Sequence, residues 1–195
     1  YCFDPACYKE GCFELWIDIP FGKTGKYRAQ FIREALADLR SSLDKQGIPL
    51  LVFHATPAEV LPELMEKHDI SNIFLQKEWT RDELQQEEDL GIALEKAGLK
   101  EKVKGHRFYD QFLYHPDEVP FETWKQVPKV FSEFRKKCEK LAKVRALVDI
   151  TGYSQGPPVV EQTTIPTLTE LGLEEFAKDS RSAFPWDGGE TAVWE

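Results

Sequence analysis

Apolar residues along the chain follow two alternating rhythms, and the alternation predicts a layered α/β architecture. Between Thr24 and Gly47, residues Tyr27, Phe31, Ile32, Ala35, Leu36, Leu39 and Leu43 recur at three- and four-residue intervals. That spacing lines one face of a helix, with Tyr27 and Phe31 expected to pack inward and Gly47 supplying the stop. "IPLLVFHA", residues 48–55, is then a short continuous apolar run, the pattern of a strand covered on both faces. Thr56 as N-cap and Pro57 at the first helical position open a second helix in "TPAEVLPELMEKH". A strand follows at 73–77, then a helix running from Thr80, with Glu83 completing a capping box, to Gly98. "KVKGHRFYDQFLYH" reads as a third extended region. Strands alternating with helices at this spacing predict an α/β fold: a parallel sheet with right-handed crossovers and helices on both faces.

The two ends depart from this rhythm. Tyr1 to Phe3 reads as the end of a further strand, and "CFELWIDIP" at 12–20 as an extended segment. In "VPKVFSEFRKKCEKLAKV", Val130, Phe131, Phe134, Cys138 and Leu141 form one helical stripe. From residue 149 the chain becomes rich in Pro, Gly and Thr. We therefore expect an α/β domain over 1–148 and an extended carboxyl-terminal linker over 149–195. That linker either leads to another domain or lies over the surface of the first.

Composition narrows the classes of partner. At 195 residues, 42% apolar and 30% charged, the chain suits one globular domain with a full core. No apolar run reaches the length of a membrane span, and no signal peptide is recognisable. Lys and Arg number 25 against 34 Asp and Glu, a net charge of −9 that repels polyanions. Nucleic-acid binding by this chain alone is disfavoured, and the basic run "RKKCEKLAKVR" at 135–145 reads as a solvated helix face. Cysteines at 2, 7, 12 and 138 lack C-x-x-C pairs and have no histidine at ligand spacing, which argues for reduced thiols in an intracellular protein and against a metal site. Cys138, on an apolar stripe, is expected to be an inert buried thiol.

Candidate chemistry is sparse. "GKT" at 22–24 spells the end of a phosphate-binding loop, but the glycine that loop needs would fall at position 17, which is Ile17. There is no G-x-S-x-G, and His54 has no visible dyad partner, so it reads as a hydrogen-bonded structural histidine and no catalytic residue is assigned. In an open parallel sheet, ligands bind beyond the carboxyl ends of the strands. That rule points to Lys77, Glu78 and Trp79. A carboxylate at a strand end accepts N–H donors from a planar ring, while an indole beside it stacks or walls the pocket. The plainer alternatives for Glu78 are a solvated loop residue or a partner for Arg81.

Read in order, "YCFDP" at 1–5, "KTGKYRAQFIREALADLRSSL" at 23–43, "TPAEVLPEL" at 56–64, "QKEWTRDELQQEE" at 76–88, "LYHPDEVPF" at 113–121, "VPKVFSEFRKKCE" at 127–139, "PTLTELGL" at 166–173 and "GGETAVWE" at 188–195 resemble the amino-terminal domain of the photolyase and cryptochrome family. The DASH cryptochrome branch is the nearest pattern. The resemblance implies a Rossmann-like domain ahead of an all-helical domain that carries flavin adenine dinucleotide (FAD). It also implies an antenna chromophore, methenyltetrahydrofolate, contacted by Glu78 with Lys77 and Trp79 beside it. The family's first strand, with its W-F-R-N-D-L-R turn, would precede Tyr1, so the sheet is expected to lack that strand unless another segment fills the gap. "GCFELWIDIPFGKTG" and "KVRALVDITGYSQ" also drift from the family pattern.

The implied function is that of a blue-light flavoprotein, acting in DNA photorepair or photoreception. Photolyase-type activity follows only if the helical FAD domain does. The alternative is a non-catalytic domain that docks to another protein through 149–195, in a chloroplast complex. Chloroplast and cytoplasm are the expected locations.

Overall fold

A computed structural model describes residues 1–8, 22–109, 111–149, 160, 162–177, 179, 181 and 184–194. The extended reading of 12–20, with Cys12 and Trp16, lies outside these residues, as does 150–159.

The elements follow the expected alternation. Helix α1 spans Lys26–Asp44, α2 Pro57–Lys67, strand β1 Asn72–Gln76, α3 Arg81–Lys96, β2 Lys104–Phe108, α4 Phe131–Leu141 and α5 Thr191–Trp194. Strands β1 and β2 pair in parallel, with Asn72 opposite Lys104 and Gln76 opposite Phe108. A second parallel pairing is shorter than "IPLLVFHA" predicts. Only Phe53 bridges to Cys2, supported by Phe3 N–H to Phe53 O at 2.7 Å and Phe53 N–H to Tyr1 O at 2.9 Å. The reason is the partner's length, because after Phe3 the chain turns into a 3-10 helix at Pro5–Cys7. Among the described residues no ladder joins the two pairs.

Local signals explain most boundaries. Thr56 Oγ1 accepts from Glu59 N–H at 3.3 Å while the Glu59 carboxylate accepts from Thr56 N–H at 2.8 Å, the capping box that opens α2. Gly47 and Gly98 take positive φ, 70° and 69°, where the chain leaves α1 and α3. The box expected at Thr80 does not form, since Thr80 makes no side-chain cap bond. Glu83 is instead drawn to Lys23 Nζ at 2.9 Å, a charge-assisted contact that outcompetes a neutral cap.

Two clusters make the core. One joins Phe3, Ala29, Leu36, Val52, Leu168 and Leu171; the other joins Met65, Leu99 and Val103 under α2 and α3. The inward packing expected of Tyr27 and Phe31 is corrected: they are 70% and 42% exposed, and the helix buries Ala29 and Leu36 instead. Their rings meet the carboxyl-terminal segment, Tyr27 edge-on to Phe176 at 4.8 Å and Phe31 to Phe184 at 6.0 Å. Helix α4 similarly buries only Cys138 of its stripe, leaving Phe131 73% exposed.

Several of the described residues beyond 160 lie on the first cluster and on α1. Thr163 Oγ1 accepts from Val52 N–H at 2.6 Å and donates to Val52 O at 2.7 Å, so one hydroxyl satisfies the open edge of that short strand. Arg33 Nε donates to Pro166 O at 2.6 Å. Gly188 crosses α1 so closely that a Cβ there would sit 2.1 Å from Phe31 O. Asp38 accepts from Thr191 N–H and Oγ1–H at 3.1 and 2.6 Å.

Leu168, 1% exposed in the same cluster as Phe3, tests this packing. Leu168→Ala is expected to cost about 2–5 kcal/mol through lost burial and a cavity. Leu147→Ala, at a residue 98% exposed, should stay within about 0.5 kcal/mol. Urea unfolding midpoints of both variants measure the difference, and equal midpoints would show that the tail packs only loosely.

Candidate functional site

The carboxyl ends of β1 and β2 emerge side by side because the strands run parallel with Gln76 opposite Phe108. Side-chain alternation along β1 then sends successive residues to opposite faces. Lys77 turns towards α3, where its Nζ meets Glu87 Oε2 at 2.8 Å, and Arg107 Nε from β2 reaches Glu87 Oε1. These three line a cleft of about 520 Å³ with Leu75, Leu84 and Gly105. Glu78 faces elsewhere, half-buried, with Oε1 accepting from Gln76 Nε2 at 2.8 Å. Its Oε2 has no hydrogen-bond partner among the described residues. Arg81, the alternative partner, pairs with Asp82 at 3.4 Å.

Trp79 is 52% exposed and stacks on Tyr109, with ring centroids 5.3 Å apart and planes at 27°. Tyr109 in turn meets His115 edge-on at 5.4 Å. Gln111 ties the two strand exits together, its Nε2 donating to Lys77 O at 2.7 Å. The other end of that amide, Oε1, is buried without a partner. A buried acceptor left unpaired costs free energy. The geometry stacks Trp79 on Tyr109 and ties Gln111 to the Lys77 carbonyl, while the Lys77 side chain turns to Glu87 and the Glu78 side chain to Gln76. Tyr109 and Gln111 were absent from the sequence reading. The same rule that found Glu78, attention to residues just past a strand, identifies "YDQ" once β2 is known to end at Phe108.

An open carboxylate oxygen and a stacked ring pair are the kinds of group that hold a planar heterocycle with N–H donors. They do not make a nucleophile and base pair. His115 Nδ1 accepts from Asp117 N–H at 3.2 Å. His54 is exposed and makes no hydrogen bond among the described residues, which corrects its reading as a bonded structural histidine. Cys138 is only 2% exposed, and burial pushes its thiol pKa up. Lys23 of the "GKT" stretch sits against Asp82 and Glu83 at 3.3 and 2.9 Å, so its charge is spent on the first turn of α3. No group of three or more metal-ligating side chains gathers among the described residues.

An open parallel α/β domain with its polar and aromatic groups at the strand exits is the class that fold and site define. A family profile for DNA photolyase matches residues 1–152, and the chain belongs to that family. It is 37% identical over 192 residues to the DASH cryptochrome of Gloeobacter violaceus, covering 98% of this chain and 36% of the relative. It is 31% identical over 193 residues to a chloroplastic/mitochondrial DASH cryptochrome of Arabidopsis thaliana, covering 98% and 32%. The crystal structure of a Synechocystis cryptochrome superposes with a TM-score of 0.80 at 27% identity, covering all of this chain and 38% of that one. The chain thus spans about a third of the length of the curated relatives it matches.

Glu87 offers a test of the electrostatics beside the site. The hydrogen bond from Lys77 holds its carboxyl below the usual carboxylate range, against desolvation that raises it, with Arg107 adding to the lowering. A depressed carboxyl stabilises the fold above its ordinary value of 4.5 and loses that contribution as pH falls through the depressed one. Thermal melts from about pH 6 to pH 3 should therefore fall less steeply for Glu87→Gln than for the native chain. Parallel curves would remove Glu87 from the account.

Proposed function

We propose that this chain is the antenna-side α/β domain of a blue-light flavoprotein and holds methenyltetrahydrofolate at the strand exits. The observation that carries this is Glu78, half-buried with a carboxylate oxygen unpartnered among the described residues, one position before Trp79, whose ring stacks on Tyr109. Family membership supports it, because photolyases and cryptochromes bind a flavin and an antenna chromophore. Glu78 would accept from the ring's N–H groups, and Trp79 would cover one face. Lys77 shapes the turn through its backbone carbonyl, bonded by Gln111, while its ammonium stays with Glu87. The bound folate would supply near-ultraviolet absorption and pass excitation to a flavin.

The same reading divides the chain into an α/β domain at 1–148 and a connector at 149–195 leading to a helical FAD domain. DNA photorepair or photoreception is then the work of the longer protein, and this chain contributes light collection. No helix among the described residues is long and apolar enough to cross a membrane. The chloroplastic/mitochondrial plant relative favours an intracellular, chloroplast location. A docking module without light chemistry is less well supported, since it gives no role to the acceptors at the strand exits.

Titrating the chain with methenyltetrahydrofolate, up to about 1 mM because an isolated domain is expected to bind weakly, tests the site. Quenching of tryptophan fluorescence should report binding. Glu78→Gln, which loses one charge-assisted contact worth about 1.5–3 kcal/mol, should weaken it at least about tenfold, whereas the distant Glu63→Gln should not. Equal affinities for all three proteins would sink the assignment of Glu78.

A further inference from the structure

Tyr27, Phe31 and Glu34 follow one another at four- and three-residue intervals on α1 and so share one face of the helix. The carboxyl-terminal segment brings Phe176, Phe184 and Trp186 over that face, and an open cavity of about 830 Å³ lies between the two. Its aromatic walls stand at steep angles to one another. Tyr27 meets Phe176 at 65°, Phe31 meets Phe184 at 63°, and Phe184 meets Trp186 at 70° with centroids 5.3 Å apart. None of these pairs is close to parallel, in contrast to Trp79 and Tyr109 at 27°. The segment is pinned beside the cavity, because Gly188 N–H donates to Glu34 Oε2 at 2.8 Å while Gln30 Nε2 donates to Oε1 at 2.8 Å. Two cations are close among the described residues: Lys26 is paired with Glu174 at 3.3 Å, and Arg181 is held by Asp179 through contacts of 3.0 and 2.7 Å. Glu34 adds a third carboxylate to these two pairs, on a chain of net charge −9.

We propose that this cavity binds a small organic cation with a quaternary ammonium head, of the choline type. The face of an aromatic ring carries the negative part of its quadrupole and attracts a cation within about 6 Å of the centroid. The cluster already draws one, since Lys26 Nζ lies 5.8 Å from the Tyr27 centroid. Ring geometry selects the shape of the ligand. A flat ring system needs nearly parallel walls to lie between, whereas walls at 63° and 70° bound a corner that a rounded trimethylammonium group fills, with methyls against each face. Charge selects its sign, because three carboxylates around two cations draw a further cation and repel an anion. The absence of N–H groups on the head matters as well. A primary ammonium would leave donors unpaired against carbon, and a quaternary one has none to satisfy. Phe31, Phe184 and Trp186 are 42%, 58% and 58% exposed, so the ligand enters from solvent without rearrangement. The cavity shares no residue with the strand exits and does not depend on the folate reading.

Choline is the probe, compared with its uncharged isostere, the alcohol in which carbon replaces the nitrogen. An NMR titration of the 195-residue chain should show choline binding with a Kd on the order of 1 mM and the alcohol binding at least about tenfold more weakly. Trp186→Leu keeps an apolar wall but removes the ring face, and should weaken choline at least about fivefold. Glu34→Gln keeps an acceptor for Gly188 N–H and should weaken choline about as much, while leaving the alcohol unchanged. Glu78→Gln should leave choline binding unchanged, so failure at this cavity and failure at the folate site are read separately. Circular dichroism confirms that each variant folds. The proposal is overturned if the alcohol binds as tightly as choline, which marks an apolar groove only, or if Trp186→Leu keeps the native affinity. It is equally overturned if choline up to about 10 mM shifts no signal, or if phosphatidylcholine vesicles bind and free choline does not.

Discussion

Parallel strands cannot be joined by a tight turn, so every return has to cross a face of the sheet. That constraint organises this molecule. It makes α1 the crossover between Tyr1–Phe3 and Leu51–Phe53, and α3 the crossover between β1 and β2. It also brings the carboxyl ends of the strands to one edge, where Asp4, Glu78, Trp79 and Tyr109 emerge. Two contacts span the space between the strand pairs at that edge: Gln86 Nε2 to Asp4 Oδ2 at 2.5 Å, and Lys23 to Asp82 and Glu83. The place where a ligand of this fold class binds is therefore also where the two halves of the domain are tied together.

The cost of such a sheet is its edges and faces, and the chain covers them unevenly. Thr163 satisfies Val52, and Gly188 and Thr191 fasten the terminal segment to Glu34 and Asp38 of α1. A tail with the composition of a linker thus contributes Leu168 and Leu171 to the core, because two leucines at helical spacing suffice to bury a cluster wherever the backbone is satisfied. The opposite condition holds at β1 and β2, where Phe74 stacks on His106 at 4.8 Å yet stays 66% exposed. Apolar surface is also left open along α4. Both regions leave apolar surface uncovered by the described residues.

Legibility in the sequence followed the range of the interaction. The capping box at Thr56 was readable because both partners lie within four residues. The apparent box at Thr80 failed because Lys23 is 60 positions from Glu83, and no local pattern registers a competitor so far away. The strand-exit rule led to Glu78 and Trp79, yet it passed over Tyr109 and Gln111. Their importance depends on β1 and β2 being neighbours in register, which is a pairing fact. His54 read as structural because no dyad partner was visible, and it is exposed. The letters "GKT" kept no phosphate role, since Lys23 is committed to two carboxylates.

Hydrophobic period, caps and turn glycines by themselves determined the order and kind of the elements, the parallel α/β class and the family, since these rest on local backbone preference and on motifs in sequence order. Tertiary structure alone decided which face of each helix is inside. Tyr27 and Phe31 share the helical spacing of core residues, but burial is a property of what arrives opposite, and the terminal segment arrives there as a partial cover while Ala29 takes the close contact. The same holds for α4, whose stripe promised a core helix and whose ends, Phe131 and Leu141, face water because no described residue packs over them.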